Sequence, residues 1–129
     1  MNANERENEL DEIAKIVIGA AFEVCNTLGA GFMEKVYERA LMREITLSSL
    51  RVQQQVGFPV FYKDHEVGHY AADLVVEGRL IVELKCVECF LNEHLAQCIN
   101  YLRVSNLKLA LLINFQKPKL EWRRLALGK

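Results

Sequence analysis

The sequence lacks three features that would assign it at once to a class of protein. No apolar run approaches the roughly 20 residues that a helix needs to span a bilayer, and a net charge of −1 gives no basic surplus to indicate a nucleic-acid partner. Residues 1–12 are acidic and polar, unlike a signal peptide. These absences predict a cytoplasmic protein with no membrane partner, whose four cysteines are reduced thiols.

Length and composition predict one globular domain. The 129 residues are 51% hydrophobic and 26% charged, which is typical of a single domain over residues 1–129. Charge is uneven, since residues 1–64 carry seven Lys and Arg against ten Asp and Glu, whereas residues 65–129 carry nine against seven. A basic cluster near the C-terminus is either a phosphate contact or a solvated face, and consists of Lys117, Lys119, Arg123, Arg124 and Lys129.

Hydrophobic periodicity predicts two helices in the first third of the chain. Apolar residues at steps of three and four indicate an amphipathic helix over about residues 9–28, which Gly29 ends in a left-handed cap. A second helix is expected over about residues 33–47, with Glu34 and Tyr37 as neighbours on its surface. The apolar face of this helix is predicted to consist of Val36, Ala40 and Leu41.

Short strands and a third helix are predicted next. We expect strands over about residues 51–56, 58–62 and 66–70, with turns at Gly57 and at Lys63-Asp64. Pro59 indicates an edge strand or the start of a strand. Asn92 is predicted to cap a helix that ends near residue 104 and has a core stripe of Leu95, Ile99 and Leu102. A buried strand over residues 109–114 and an edge strand over residues 120–127 follow. The order α-α-β-β-β-β-β-α-β-β predicts an α/β domain on a mixed sheet.

Charged residues stand among apolar ones in the stretch from Ala72 to Lys85. Two strands joined by a three-residue turn at residues 77–79 would place Asp73 opposite Glu83, and Lys85 would share the face of Glu83. Facing carboxylates repel each other unless a cation lies between them, and a divalent ion bound by oxygens is the candidate. The spacing alone fits a solvated strand end with an ordinary Glu–Lys pair equally well.

These residues resemble the signature of the PD-(D/E)xK nuclease superfamily, an Asp followed after a hairpin by Glu-x-Lys. Residues 31–37, Gly-Phe-Met-Glu-Lys-Val-Tyr, resemble the GxxExxY motif of one subfamily, and residues 97–102 and 111–115 resemble its later segments. The resemblance extends over about residues 13–125. It implies a restriction-endonuclease-like three-layer core, a mixed β-sheet flanked by α-helices. Ala72 departs from the pattern, which has Pro or a basic residue there, and this removes a phosphate contact.

The resemblance also implies hydrolysis of phosphodiester bonds in nucleic acid, with DNA the expected substrate and Mg²⁺ or Mn²⁺ the cofactor. Bound Mg²⁺ polarises a phosphoryl oxygen and lowers the pKa of its water. Asp73, Glu83 and the backbone carbonyl of Leu84 are the predicted ligands. Glu34 is expected to join these carboxylates, directly or through a water; as an alternative it is an acid that favours a helix N-terminus.

Three further side chains have predicted roles in this chemistry. Lys85 either orients or deprotonates the attacking water or stabilises charge on the phosphate, and two neighbouring carboxylates favour its charged form and so the electrostatic role. Gln97 and Tyr101 form a polar stripe with His94 on the third helix. The resemblance implies that Gln97 and Tyr101 orient Lys85 or contact the phosphate backbone; a surface hydrogen-bonding pair is the alternative.

Two alternatives stay open at the level of sequence. Cys86-x-x-Cys89 has zinc-knuckle spacing and lies near His94 and Cys98, but a second ligand pair is missing, so we expect no structural zinc and no iron–sulfur cluster. The second alternative keeps the fold but makes it a catalytically weak nucleic-acid-binding or protein-interaction module. A domain this small has little material with which to grip a duplex, so a homodimer or a partner that supplies specificity is also expected.

Overall fold

A five-stranded sheet covered by helices forms the framework of the protein in the computed structural model, which describes residues 2–127. The predicted α/β class and the three-layer arrangement are confirmed. In chain order the elements are α1 (Ala3–Leu28), α2 (Glu34–Leu47), β1 (Val52–Tyr62), β2 (His65–Val76), β3 (Leu80–Lys85), α3 (Asn92–Ser105), β4 (Leu109–Asn114) and β5 (Glu121–Ala126).

The strand order places β3 at the centre of the sheet. The strands run β1-β2-β3-β4-β5 across the sheet. β3 and β4 are parallel, and the other neighbouring pairs are antiparallel. Since parallel neighbours need a crossover connection, α3 carries the chain from the end of β3 back to the start of β4. The predicted mixed sheet is therefore confirmed, as is the edge position of β5.

Alternate residues of β3 pack into two separate layers of core. Leu80, Val82 and Leu84 face α1 and α2, whereas Ile81 faces α3 together with Cys98 and Leu102. Burial on both faces explains why this strand is almost continuously apolar. Glu83 follows Ile81 on the α3 side by the same alternation, so a carboxylate lies in a strand that is buried on both faces.

The predicted division of residues 51–70 into three strands is wrong. β1 runs unbroken through Gly57 and Pro59, and β2 runs unbroken from His65 to Val76. The His69 ring of the neighbouring strand lies over Gly57, where a Cβ would be 2.5 Å from its Cε1. The turn at Lys63-Asp64 and the edge position of β1, which holds Pro59, agree with prediction.

The phase of α2 differs from the predicted one. The buried face of α2 consists of Tyr37, Glu38, Leu41 and Ile45, so Tyr37 points into the core and is not a surface neighbour of Glu34. In α3 the predicted core stripe of Leu95, Ile99 and Leu102 is confirmed, and Cys98 and Tyr101 are buried beside it. The N-cap of α3 is Leu91, whose N–H donates to Nδ1 of His94 at 3.0 Å, and Asn92 is the first helical residue.

The basic cluster does not form one continuous face. Arg123 and Arg124 are adjacent on β5 and therefore point to opposite sides of the sheet. Arg124 pairs with Asp11, and Lys117 lies 3.6 Å from Glu121. Lys129, the last member of the cluster, lies outside the described residues. None of the helices within residues 2–127 is both long and apolar enough to cross a membrane.

Candidate active site

Asp73 and Glu83 meet where β2 and β3 separate. The ladder pairs Val76 with Leu80 and ends at Leu74 with Val82, as the three-residue turn predicts. Beyond that pair, hydrogen bonds from backbone N–H groups to carboxylate side chains take the place of backbone–backbone hydrogen bonds. The N–H of Asp73 donates to Oε1 of Glu83 at 2.8 Å, and the N–H of Leu84 donates to Oδ2 of Asp73 at 2.9 Å. Each carboxylate is thus fixed by the other strand.

Burial makes this pair of carboxylates costly to ionise. Glu83 is 3% exposed. Loss of solvent, followed by the charge of Asp73, raises the pKa of Glu83 to about 8. Loss of solvent likewise raises the pKa of Asp73, against the hydrogen bond from Leu84. Within residues 2–127, neither carboxylate forms an ion pair with a basic side chain, so without a cation Glu83 is ionised beside Asp73 only as the pH rises towards about 8.

Lys85 ends β3 on the side that Glu83 faces, and its charge lowers the pKa of Glu83 and of Asp73 against the effect of burial. The chain is tightly held just after Lys85. The Lys85 carbonyl accepts the N–H of Phe115 at 3.0 Å. The amide of Asn114, fully buried beside it in β4, donates to the Val87 carbonyl at 2.7 Å and accepts the Val87 N–H at 3.1 Å. The Asn-Phe pair therefore anchors the exit of the strand that carries Glu83 and Lys85.

Glu34 lies at the rim of the site as the first residue of α2. Partial loss of solvent and then the charge of Asp73 raise its pKa, and Lys85 lowers it. Tyr37 fixes the start of this helix, because its hydroxyl donates to the Gly29 carbonyl at 2.6 Å and accepts the N–H of Phe32 at 3.1 Å. Gly31, in the loop between α1 and α2, has a φ of +110°. The Gly-x-x-Glu-x-x-Tyr spacing thus holds the loop that presents Glu34.

Gln97 and Tyr101 lie one turn apart on α3 but differ in exposure. Tyr101 is 4% exposed, and burial followed by the charges of Glu83 and Asp73 raises the pKa of its hydroxyl. Gln97 is half-buried and lines a groove of about 450 Å³ with Tyr70, Glu93, His94 and Asn100. Among residues 2–127 its amide makes no hydrogen bond with Lys85. The ring of Tyr70 meets that of Tyr101 edge to face at 5.2 Å, which joins the groove to the site.

Glu38, Gln54 and Gln55 also lie at the site, although the sequence did not predict a role for them. Glu38 is 2% exposed and contacts Lys35 at 2.8 Å, Gln54, and Gln55 at 3.2 Å. Burial raises its pKa, but these hydrogen bonds outweigh burial and lower it overall. Gln55 also donates to Oδ1 of Asp73 at 3.3 Å. The only sequence signal was an acid four residues after Glu34 and a polar run inside a predicted strand.

The donors at this place suit a hard divalent cation. Asp73 and Glu83 offer carboxylate oxygens, and Mg²⁺ usually takes one or two protein carboxylates and keeps several waters. No group of three or more His, Cys, Asp or Glu side chains within the described residues is arranged to hold a metal ion. An ion here would therefore take two side-chain ligands from this chain and complete its coordination with carbonyl oxygen and water.

The sheet order and the acid pair at its centre define an α/β protein of the restriction-endonuclease-like class. A family model for the PD-(D/E)XK nuclease superfamily matches residues 11–125, and the chain belongs to that superfamily. The family indicates a nuclease in general, and such nucleases use divalent metal ions and bind nucleic acid.

A solved structure supports the fold assignment. The crystal structure of SSO0001 is similar to this chain with a TM-score of 0.56 and 14% identity, over 95% of this chain and 59% of that one. The chain thus spans about three-fifths of the length of that protein, and the likeness concerns the fold. No curated protein matches the sequence.

Proposed function

We propose that the protein is a Mg²⁺- or Mn²⁺-dependent nuclease of the GxxExxY group that hydrolyses phosphodiester bonds in DNA. The observation that carries this proposal is the buried Glu83 carboxylate beside Asp73, with no Lys or Arg side chain in direct contact among the described residues. Burying an uncompensated pair of charges is strongly unfavourable. A bound divalent cation relieves that cost, and the oxygen donors suit it.

The proposed mechanism divides the work between the cofactor and the chain. The ion, when bound, supplies charge to polarise the phosphate and to lower the pKa of a water. Asp73, Glu83 and the Leu84 carbonyl hold it. Lys85 stabilises the charge that develops on the phosphate oxygens, and Glu34 orients the attacking water from the rim. Gln97 and Tyr101 contact the phosphate backbone, with the adjoining groove as the path of the strand.

An arm of the sheet favours the second candidate, a binding module with little turnover. β1 and β2 extend as a hairpin beyond the stretch in which β2 pairs with β3. Every residue of this hairpin from Phe61 to Tyr70 is exposed. Phe61, Tyr62 and Val67 there are each more than 60% exposed. Exposed apolar residues at the tip of a hairpin are typical of a contact surface, and a homodimer or a partner protein fits this arm.

The cytoplasmic location also stays a prediction.

Cleavage of four substrates tests the nuclease directly. Single- and double-stranded DNA and RNA are incubated with Mg²⁺ or Mn²⁺ and the unmodified protein, Asp73→Ala or Lys85→Ala. We expect cleavage of DNA that depends on the metal and falls by about 10²–10³-fold or more in either variant. Activity that survives both substitutions comes from a contaminant and contradicts the proposal. Metal binding without cleavage of any substrate favours the module.

A further inference from the structure

Gln55 has a backbone conformation that strands rarely contain. Its φ is +52°, in the left-handed region, in the middle of β1. The register is uninterrupted on both sides, with Gln54 opposite Leu74 and Val56 opposite Ala72. A residue other than Gly, Asn or Asp in this region is uncommon. Such strain persists where the surrounding structure maintains it, and it gathers at functional sites.

The left-handed turn brings two consecutive side chains to one acid. Neighbouring residues of a regular strand point to opposite faces, yet Gln54 and Gln55 both donate to Glu38. The Gln55 amide lies between two carboxylates, 3.2 Å from Oε1 of Glu38 and 3.3 Å from Oδ1 of Asp73. An amide nitrogen has two hydrogens, so it serves both.

At Gln55 and Asp73 the alternation of side chains between the two faces of the sheet is also interrupted. Leu74 and Val76 pack towards α1 and α2, but Ala72 packs towards α3, although residues two apart normally share a face. In β1, Val52 likewise packs on the α1 side and Val56 on the α3 side. Asp73 and Gln55 face each other at this reversal, where β2 also leaves β3.

Both oxygens of Asp73 are therefore restrained. Oδ2 accepts the N–H of Leu84 at 2.9 Å, and Oδ1 accepts the amide of Gln55 at 3.3 Å. Each oxygen keeps a second lone pair that can bind a cation. The amide is held in turn by Glu38, which Lys35 and Gln54 fix. Partners of this kind set the orientation of metal ligands.

We propose that Gln55, held by Glu38, is a positioning residue that fixes the Asp73 carboxylate for a divalent cation. The proposal rests on the function proposed above, since it takes Asp73 as a ligand. Gln55 itself does not contact the substrate or the ion. A purely structural role is the competing explanation, because the left-handed conformation also shapes the arm of the sheet.

Gln55→Gly separates the two explanations. Glycine adopts the left-handed conformation without strain but has no amide to hold Asp73. The dissociation constant for Mn²⁺, measured by calorimetry, is expected to rise by about 10–100-fold, while the Tm without metal does not fall. Gln53→Ala is the control, because Gln53 is an exposed residue of the same strand, and its affinity for Mn²⁺ should stay within about twofold of the unmodified protein.

A second variant covers a failure of the first to fold. Gln55→Asn also tolerates the left-handed conformation and keeps an amide, but it is one methylene too short to bridge Glu38 and Asp73, so it too should lose affinity without losing Tm. Affinity within twofold of the unmodified protein in either variant that folds overturns the positioning role alone. A loss of affinity with a matching fall in Tm in both variants assigns Gln55 a structural role and also overturns the positioning role. No Mn²⁺ binding by the unmodified protein overturns the proposed function together with this inference.

Discussion

Lys85→Ala is expected to lower the cleavage rate by about 10²–10³-fold, the usual effect of removing a charged group that stabilises a transition state. Lys85→Arg should lose much less, with a rate within about tenfold of that of the unmodified protein. The reason is that the guanidinium is also a cation at the end of β3, next to Glu83 and Asp73, whose pKa values respond to the charge of Lys85. Rates at saturating substrate give the comparison.

The pair of variants distinguishes the two roles that a lysine can have here. Arginine is not deprotonated in proteins and cannot act as a general base. Equal loss in Lys85→Arg and Lys85→Ala would therefore assign proton abstraction to Lys85 and contradict the electrostatic role. Lys108→Ala, which removes an exposed lysine just before β4, is the control for a general effect of charge and should leave the rate unchanged.

Glu83→Gln should stabilise the metal-free protein at alkaline pH. The pKa of Glu83 is about 8 in the folded chain against an ordinary value of 4.5, so the folded state binds more protons than the unfolded state between these values. The stability that Glu83 contributes is therefore complete below about pH 4.5 and is lost as the pH rises through about 8. Glutamine keeps a carbonyl oxygen for the Asp73 N–H but has no charge to bury.

Urea unfolding without metal, from pH 5 to 9, measures this effect. The free energy of unfolding of the unmodified protein should decline over that range, and at pH 9 the variant should exceed it by on the order of 2–4 kcal/mol. Glu77→Gln is the control, because the Arg51 N–H lowers the pKa of the partly exposed Glu77, so removal of this carboxylate gains no stability at high pH. Equal stability of Glu83→Gln and unmodified protein at pH 9 would contradict a costly buried charge.

The same variant should lose its affinity for Mn²⁺. A metal that binds only the folded state adds stability by mass action, so saturating Mn²⁺ should raise the Tm of the unmodified protein and leave that of Glu83→Gln unchanged. Stability gained without metal and lost with it is the expected signature of a ligand site. A Tm that responds equally to Mn²⁺ in both proteins would place the ion elsewhere.

The acid pair was accessible from sequence because it depends on local rules. A turn with Gly78 fixes the register of the hairpin, and period-two alternation then brings Asp73 to Glu83. Burial of the central strand could also be read from its apolar run. The edge positions of β1 and β5 also agree with the sequence, that of β1 because Pro59 suits an edge or the start of a strand.

Features that depend on tertiary contacts were not accessible. β1 continues through Gly57, where the His69 ring of the neighbouring strand occupies the space beside the backbone, and nothing in the sequence marks Gln55 for a left-handed conformation. Tyr37 and Tyr101 were assigned to polar faces, because periodicity does not reveal that a hydroxyl has partners inside the fold. Glu38 escaped notice for the same reason, since a buried acid is expected only where its partners are known.

A crystal soaked in Mn²⁺ and examined by anomalous scattering tests the metal site most directly. A single peak within about 2.0–2.3 Å of a carboxylate oxygen of both Asp73 and Glu83 is the expected result, and it should vanish in Glu83→Gln crystals treated in the same way. The absence of a peak between these two carboxylates would contradict the assignment of the buried pair as a binding site for a divalent cation, whether or not the crystal holds the ion elsewhere.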